Sequence, residues 1–243
     1  MRMMAFAKRC AKEILRDPLN LAFGLGFPLV LLFLLSAIQA NIPVGMFEIG
    51  TLTPGITIFG LSFMTLFSAT LVSKDRESAL LQRLYTTPLT GFDFIMGYML
   101  PMLPIALAQV VICYLCAIPL GLPVSINVVY AVAGCIPMAV FDIALGLLCG
   151  SIMGSKQVGG ICGALFCNLS AWFSGVWFDL DLVGGFFEKI ANVLPFVHAV
   201  EMGKGLIAGN FLDAAVHALT VFVYSALVTA LAVFCFLMQM KKQ

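Results

Sequence analysis

The strongest constraint on the fold of this chain is a set of six long apolar runs. An α-helix needs about 20 predominantly apolar residues to cross the hydrocarbon core of a bilayer. Each run reaches that length, and Asp142 is the single charged residue inside them. None shows the alternation of apolar and polar residues that is typical of half-exposed strands. The sequence therefore predicts an all-α polytopic membrane protein with six transmembrane helices, at residues 21–40, 54–73, 94–120, 127–153, 158–178 and 214–240.

The composition excludes a water-soluble domain. Of the 243 residues, 62% are hydrophobic and 10% are charged, and the mean hydropathy is +1.07. Soluble domains are about 45–50% apolar and about 25% charged. The formal net charge is +1, which predicts no nucleic-acid partner. We interpret the chain as one transmembrane domain over residues 1–243.

The eight cysteines do not form a metal-binding or disulfide pattern. Seven of them lie inside the apolar runs, where cysteine behaves as a small hydrophobic residue. Cys113 and Cys116 have the spacing of a metal-binding pair, but no second Cys or His pair accompanies them. The sequence predicts no metal site.

Basic residues lie predominantly on one side of the predicted spans. The segments on that side carry eleven Lys and Arg residues, whereas the other side carries only Lys189 and Lys204. Because Lys and Arg concentrate in cytoplasmic loops, both termini are predicted to be cytoplasmic. The expected location is a plasma (inner) membrane.

The first 20 residues form an amphipathic pattern. Drawn as a helix, they place five basic residues within an arc of about 120° and apolar residues on the opposite side. This pattern predicts an interfacial elbow helix at residues 1–20, with its basic face toward anionic headgroups. Two interpretations remain open: a generic membrane anchor, which the segment alone favours, and an elbow that moves with the first span.

A second amphipathic segment, residues 74–91, is predicted on the cytoplasmic side. Asp75 and Glu77 suit the first turn of a helix, and Pro88 suits its end. Between them an apolar stripe recurs at helical spacing, formed by Leu80, Leu81, Leu84 and Tyr85. The spacing fits burial of this stripe in lipid and burial in the groove of a partner protein equally well.

Residues 179–213 join the last two predicted spans on the other side, and they are not simply polar. One helical face is apolar, Pro195 interrupts it, and a second apolar piece carries His198, Glu201 and Lys204. The apolar face consists of Phe186, Phe187, Ile190, Val193 and Leu194. Two short helices that re-enter the outer leaflet would explain this pattern. An external amphipathic hairpin is the alternative.

Several of these residues resemble a known family. Arg76-Glu77, followed by Leu81, Leu84, Thr87-Pro88-Leu89-Thr90 and Gly97, is similar to the cytoplasmic loop of type-2 ATP-binding-cassette (ABC) permeases. Those proteins are the membrane subunits of two-component drug, lipid and polysaccharide exporters. The segment Leu194-Pro195-Phe196-Val197-His198-Ala199-Val200, leading to Gly203-Lys204-Gly205, resembles the re-entrant segment before that family's last span. The resemblance covers nearly the whole chain, and it departs at Tyr98, where the family often has a basic residue.

The resemblance implies a mechanism in which residues 74–91 form a coupling helix seated in a cleft of a separate ATPase subunit. The coupling residues would be Arg76, Glu77, Leu80, Leu81, Leu84, Tyr85 and Pro88. ATP and Mg²⁺ would bind to that subunit, so this chain is not expected to be an enzyme or to hold a cofactor. It carries no G-x-x-x-x-G-K-[ST] motif.

Six spans enclose little room for a bulky substrate. A second permease copy, in a homodimer or a related heterodimer, is therefore expected to complete the pathway. The resemblance implies a drug-like, lipid-like or peptide substrate, with multidrug efflux among the expected activities.

Asp142 is the remaining anomaly within the spans. A carboxylate near the middle of a span costs roughly 2.5–3.5 kcal/mol on insertion scales, so it should face the protein interior. Asp142 could belong to a substrate pathway together with Gln109 and Asn168, or it could make a structural hydrogen bond to one of those two residues. Small-residue ridges for close helix packing, within one subunit or at a dimer seam, are formed by Gly146, Gly150 and Gly154 and by Gly159 and Gly163.

Two other function classes are compatible with six spans. An intramembrane enzyme could use His198 or His217 as a base and Ser62 or Ser151 as a nucleophile, but the predicted depths keep the bases and Ser151 apart. The sequence also lacks the metalloprotease motif H-E-x-x-H. A non-transporting sensor or immunity protein could use the same scaffold. A neighbouring gene for an ABC ATPase would favour the permease.

Overall fold

The computed structural model describes residues 2–43, 45, 47–78, 90–178 and 180–241. Regular structure in these residues is helical, with no strand among them, as the apolar runs predict. In chain order the helices are α1 (Arg2–Leu15), α2 (Pro18–Leu21, Ala22–Gly26 and Phe27–Gln39), α3 (Ile49–Leu61 and Phe63–Glu77), α4 (Gly91–Ala117), α5 (Ile126–Ile152), α6 (Ser155–Val158, Gly159–Phe166 and Cys167–Phe173), α7 (Leu180–Val183), α8 (Gly185–Val193), α9 (Pro195–Ala208) and α10 (Phe211–Lys241).

Five of the described helices are long and apolar enough to cross a membrane, namely α2, α3, α4, α5 and α10. Their burial differs sharply. In the most apolar window of α3, 83% of the residues are buried, whereas the figure is 22% for α2 and for α10. Because few charged residues interrupt these helices, their exposed apolar faces suit contact with lipid rather than with water. The helix α3 is therefore the centre of the bundle, and α2 and α10 lie at its periphery.

The predicted run at 158–178 does not form one of these five long helices. Its helical part, α6, ends at Phe173, and Gly175 follows with a positive φ of 71°. The helix α6 nevertheless lies antiparallel along α3: Ser155 contacts Glu77, Gly163 faces Leu66, and Val176 faces Gly55. The sixth span stays a prediction.

The helix α10 runs between the two ends of the bundle. At one end the rings of Tyr130 and Phe211 lie 5.7 Å apart, and at the other the rings of Phe94 and Phe236 lie 5.4 Å apart. We call the end near Phe94 the basic end, because Arg9 and Arg76 lie there, and the end near Phe211 the opposite end. The chain between Ser155 and Phe211 therefore starts at the basic end and finishes at the opposite end.

The closest helix contact in the centre of the bundle joins α3 to α5. A Cβ atom added to Gly146 would lie 2.0 Å from Ser68 Oγ and 2.2 Å from the Thr65 carbonyl oxygen. A Cβ atom at Gly150 would lie 2.5 Å from the Ala69 carbonyl oxygen. Glycine at these positions lets the two backbones approach closely, as small residues do between membrane helices. This glycine ridge therefore packs within one chain.

Three helices, α7 to α9, occupy the segment between α6 and α10. In α9, Phe196, Val200 and Met202 are buried, and the helix packs against α3, α5 and α10. The predicted apolar face of α8 is divided, since Phe187 stacks on Phe173 while Phe186 is 79% exposed. Helical structure agrees with the expectation for residues 180–213, and re-entry into the outer leaflet stays a prediction.

Candidate functional site

Four consecutive residues at the end of α3 contact four other helices and the residue in front of a fifth. We call residues 74–77 and their contacts the basic-end junction. Lys74 Nζ lies 4.0 Å from Asp17 Oδ2, in front of α2. The next three side chains, those of Asp75, Arg76 and Glu77, reach α1 and α4, α5, and α6 respectively. One turn of helix therefore connects most of the bundle.

The helix boundary at this junction differs from the sequence prediction. Asp75 and Glu77 suit the first turn of a new helix, but in the structure they belong to the last turn of α3, which ends at Glu77. Carboxylates at a helix C-terminus oppose the helix dipole. Contacts to other helices offset this cost, and single-sequence periodicity does not reveal such contacts.

Asp75 is the most buried member of the junction, with 2% of its surface exposed. Arg9 of α1 forms a bidentate ion pair with it: Nη2 donates to Oδ1 at 2.6 Å, and Nη1 donates to Oδ2. The Tyr98 hydroxyl of α4 donates to Oδ2 at 2.8 Å. A buried carboxylate needs such a charged partner and hydrogen bonds to compensate for the water that it has lost.

The electrostatic environment of α1 follows from this pair. The hydrogen bond that Arg9 donates to Asp75 raises the pKa of Arg9 further above its usual range, so Arg9 stays charged. Burial raises the pKa of the Cys10 thiol to about 12, which keeps this cysteine neutral and unreactive. Burial also raises the pKa of Glu13, which pairs with Arg9. The guanidinium of Arg9 is thus paired with carboxylates of the protein, those of Asp75 and Glu13.

Protein, rather than lipid alone, covers the apolar face of α1. Phe6, Cys10 and Ile14 are buried in the core, and the Phe6 ring meets the Tyr98 ring edge-on at 4.8 Å between centroids. Gly97 makes room for Phe6, because a Cβ atom there would lie 2.4 Å from the Phe6 ring. This packing joins α1 to α4, and the choice between a generic anchor and an elbow that moves with the first span stays open. Tyr98, where the sequence departs from the family pattern, is the residue that completes the Asp75 site.

Arg76 and Glu77 form hydrogen bonds with the turn between α5 and α6. Arg76 donates to the carbonyl oxygen of Ser151 and, at 2.5 Å, to that of Met153. Glu77 accepts from the backbone N–H of Ser155 at 2.8 Å and from its hydroxyl at 2.7 Å. A cation at the C-terminus of α5 and an anion at the N-terminus of α6 both complement the helix dipoles. The side chains of two adjacent residues therefore fix this turn.

The other predicted coupling residues, Leu80, Leu81, Leu84, Tyr85 and Pro88, lie outside the described residues. The chain is described again from Thr90, where it begins α4 with a capping box. Thr90 Oγ1 accepts from the Asp93 N–H at 3.2 Å, and Asp93 Oδ2 accepts from the Thr90 N–H at 2.9 Å. The described residues on either side of 79–89 are thus held by the junction and by this cap.

The structure does not bring Asp142, Gln109 and Asn168 together. Asp142 is 1% exposed and accepts a hydrogen bond from Thr65 Oγ1, at 3.2 Å to Oδ1. The Gln109 amide nitrogen lies 3.4 Å from Cys113 Sγ, and Asn168 is exposed and donates to the Ala164 carbonyl oxygen of its own helix. The expected hydrogen bond from Asp142 to Gln109 or Asn168 is wrong, because Thr65 of α3 takes that place.

Asp142 lies in the α3–α5 contact, one turn before Gly146. Among the described residues its Oδ2 atom has no hydrogen-bond partner. The Thr65 hydroxyl also lies 3.0 Å from the Asp142 carbonyl oxygen, so this threonine joins the two helices through side chain and backbone. This position is that of a packing residue in a helix interface.

The predicted residues of the re-entrant segment lie on α9 at the opposite end. Pro195 is the first residue of the helix, where its missing N–H costs nothing. Lys204 and Glu201 form an ion pair at 2.8 Å. His198 contacts His217 of α10, with 2.8 Å between the two Nδ1 atoms.

Sequence reasoning missed three members of the junction, namely the partners Arg9, Tyr98 and Ser155. Each is remote in sequence from Asp75 or Glu77, so only the fold brings them together. An available signal was the run of four charged residues, 74–77, directly after an apolar run. Charges at that position need partners when the helix end is buried.

The chain matches a known family over most of its length. A family model described as ABC-2 type transporter matches residues 1–207, which include α1 to α8 and almost all of α9. No curated protein matches the chain.

Proposed function

This chain belongs to the ABC-2 type transporter family and is thus a membrane component of an ABC transporter, and we propose that it is the permease of an exporter driven by a separate ATPase subunit. The basic-end junction is the observation that carries this proposal. A moving partner needs a point at which a small displacement reaches many helices. Residues 74–77 provide that point, because they contact α1, α4, α5 and α6 and the residue in front of α2.

The proposed docking element is residues 79–89, which follow the junction directly. Their apolar stripe, with Leu84 at its centre, would lie in a cleft of the ATPase. Displacement of this segment would be passed to α3 through Glu77 and to α4 through the Thr90 cap. Because Asp75 and Arg76 connect α3 to α1 and α5, these helices would move together rather than one by one.

The proposed topology has six crossings of the plasma (inner) membrane, with the basic end in the cytoplasm. The excess of Lys and Arg at that end supports this orientation. The path of α6 along α3, from Glu77 to Gly55, supports a crossing between α5 and α10. Both termini would then lie in the cytoplasm.

The pathway itself is proposed to form between two permease copies, identical or related. The glycine ridge of α5 is occupied by α3, so a dimer seam would use other surfaces. We expect a drug-like, lipid-like or peptide substrate. The position of Asp142 inside the α3–α5 contact favours a structural role for this residue over a place in the pathway.

The test is copurification of the chain with the ABC ATPase encoded beside its gene, together with ATP hydrolysis by the purified pair. Leu84→Asp should remove most of the copurifying ATPase, because burial of one such side chain is worth about 1.5–3 kcal/mol. A matched control is Phe186→Asp, which places the same charge on an exposed apolar residue of α8 at the opposite end. This control should keep wild-type copurification.

Wild-type yield of the ATPase with Leu84→Asp, with undiminished ATP hydrolysis, would contradict the proposal. The segment would then be a lipid-facing connection. Size-exclusion profiles of both variants in detergent show whether the permease itself is folded, so loss of binding is distinguished from loss of the protein.

A further inference from the structure

The two histidines of this chain face each other across the contact between α9 and α10. His198 and His217 are the only histidines in the sequence. Their Nδ1 atoms lie 2.8 Å apart, which is a hydrogen-bond distance. His198 Nε2 lies 2.9 Å from the Asn192 carbonyl oxygen at the end of α8. Three helices therefore meet at one imidazole.

These distances restrict where the protons are. A carbonyl oxygen only accepts, so His198 Nε2 must carry a hydrogen and donate to Asn192. In a neutral His198 the Nδ1 atom is then an acceptor, and His217 Nδ1 must be the donor. One of the two imidazoles can gain a further proton and keep this hydrogen bond. When both are charged, both Nδ1 atoms carry hydrogens and the contact becomes repulsive.

Charged residues of α9 and α10 lie near the histidine pair. Glu201, which is paired with Lys204, and Asp213 both act electrostatically on His217. On α8, the charged residues are Glu188 and Lys189. The parts of α3 and α6 that pack against α9, Ile49–Leu61 and Cys167–Phe173, contain no charged residue. The helix α5 contributes only Asp142, which is hydrogen-bonded to Thr65 of α3. The neighbouring carboxylates do not relieve the repulsion between two imidazolium cations held at this distance.

We propose that His198 and His217 form a proton-binding latch that holds α9 to α10 while they share one Nδ1 hydrogen and that releases α9 when both are charged. Imidazole groups in general change charge between about pH 5 and 8. Acidification on the side of the opposite end is therefore the signal to which the latch responds. This inference stands on the geometry of the pair and does not depend on an ATPase partner.

Release of the latch would be local. Tyr224 of α10 donates to the Val193 carbonyl oxygen at 2.5 Å, which fixes the turn between α8 and α9 independently of the histidines. The buried face of α9, including Phe196 and Val200, packs on the core. Acid should loosen the α9–α10 contact and leave α3 and α5 in place.

Hydrogen exchange of the purified chain in lipid nanodiscs at pH 7.5 and pH 5.5, corrected for the intrinsic effect of pH, tests the latch. In the wild type, exchange in residues 195–224 should be about fivefold faster at pH 5.5, the factor for roughly one lost hydrogen bond. His217→Asn keeps a donor near the Nδ1 position but does not titrate, so it should abolish this increase. The control Glu201→Gln removes a neighbouring carboxylate and should retain it.

An acid response that persists in His217→Asn, or that disappears in Glu201→Gln, would overturn the proposal. A second measurement uses the wild type alone and so does not depend on whether a variant folds. Because the chain has two histidines, ¹⁵N-histidine labelling reports on this pair only. Coupled titration in two separate steps would support the latch, and two independent single-step titrations would refute it.

Discussion

The basic-end junction and the α3–α5 contact in the middle of the bundle hold the same helix by opposite means. In the middle, Gly146 and Gly150 bring α3 and α5 together through backbone contact, and Asp142 is the only charged residue. At the basic end, Asp75 and Arg76 act on neighbouring helices through charges and hydrogen bonds. The first kind of contact depends on shape and the second on electrostatics.

The difference has consequences for movement. A contact between glycines and backbone atoms fits in one arrangement only, because closely packed interiors do not deform continuously. Charged side chains are long, and a guanidinium keeps its bonds while its helix moves by a fraction of an ångström. We therefore interpret the middle contact as the rigid part of α3 and the junction as the part that transmits displacement. The following predictions test that division, beginning with the largest expected effect.

Gly146→Ala should be the most damaging single change. The new methyl group would lie 2.2 Å from the Thr65 carbonyl oxygen, so α3 and α5 would have to separate. Overpacking of this kind lowers the free energy of unfolding by about 3 kcal/mol. The matched control is Gly159→Ala in α6, where no neighbouring atom of the described residues lies within 4 Å of the added Cβ. Unfolding in detergent should show a large loss for the first variant and none for the second, and equal behaviour of the two would refute the rigid contact.

Arg9→Met should have the next largest effect. It leaves Asp75 buried with the Tyr98 hydroxyl as its remaining described partner. We expect a loss of about 2 kcal/mol, below that for a fully buried pair, because Arg9 is 38% exposed. Adding Asp75→Leu to Arg9→Met should restore part of the stability, since the unpaired charge is then absent. A double variant less stable than Arg9→Met alone would show that the two residues do not act as a pair.

Asp142→Asn should change stability by less than about 1 kcal/mol, because the Asn side-chain oxygen can still accept from Thr65. If the residue is structural, ATP hydrolysis by the complex should also remain at its wild-type rate. Thr65→Val is the companion variant, since it removes the donor to Oδ1 and to the carbonyl oxygen of Asp142. Normal stability of Asp142→Asn combined with lost transport would instead assign Asp142 to the substrate pathway.

Glu77→Gln should have the smallest effect, confined to the start of α6. The amide retains one acceptor for Ser155 but loses the negative charge at the helix N-terminus. Hydrogen exchange at the first amides of α6 should become faster, while the midpoint of unfolding stays unchanged. A shift of the whole unfolding transition would mean that this contact supports the bundle and does not serve only the turn.

The sequence predicted the long helices well because each is defined by its own composition. The helices α2, α3, α4, α5 and α10 follow from apolar length alone. The run at 158–178 was harder to predict, because its helix begins earlier, with the polar residues Ser155, Lys156 and Gln157, and ends at Phe173 before the turn at Gly175. Family resemblance directed attention to Arg76 and Glu77, and the structure gives them partners in α5 and α6. The partners could not be predicted, since Arg9 and Asp75 are 66 residues apart and only the packing of α1 on α4 joins them.

The same limit explains why the contact between the histidines and the partner of Asp142 were not predicted. His198 and His217 lie on different helices, and their contact depends on how α9 turns after Pro195. Asp142 was recognised as an anomaly, but its partner Thr65 is one of several hydroxyl residues on α3 and nothing local distinguishes it. Periodicity shows which face of a helix is apolar, and it does not show which residue of a neighbouring helix lies opposite a given polar group.

The central claim is that the segment after the junction docks on an ATPase. The most direct measurement is site-specific photo-crosslinking in cells that also express the neighbouring ATPase, with a photoreactive amino acid at position 84 and, as a control, at position 186. The account predicts a covalent permease–ATPase adduct from position 84 and none from position 186. Adducts absent from position 84, or equally abundant from both positions, would contradict it.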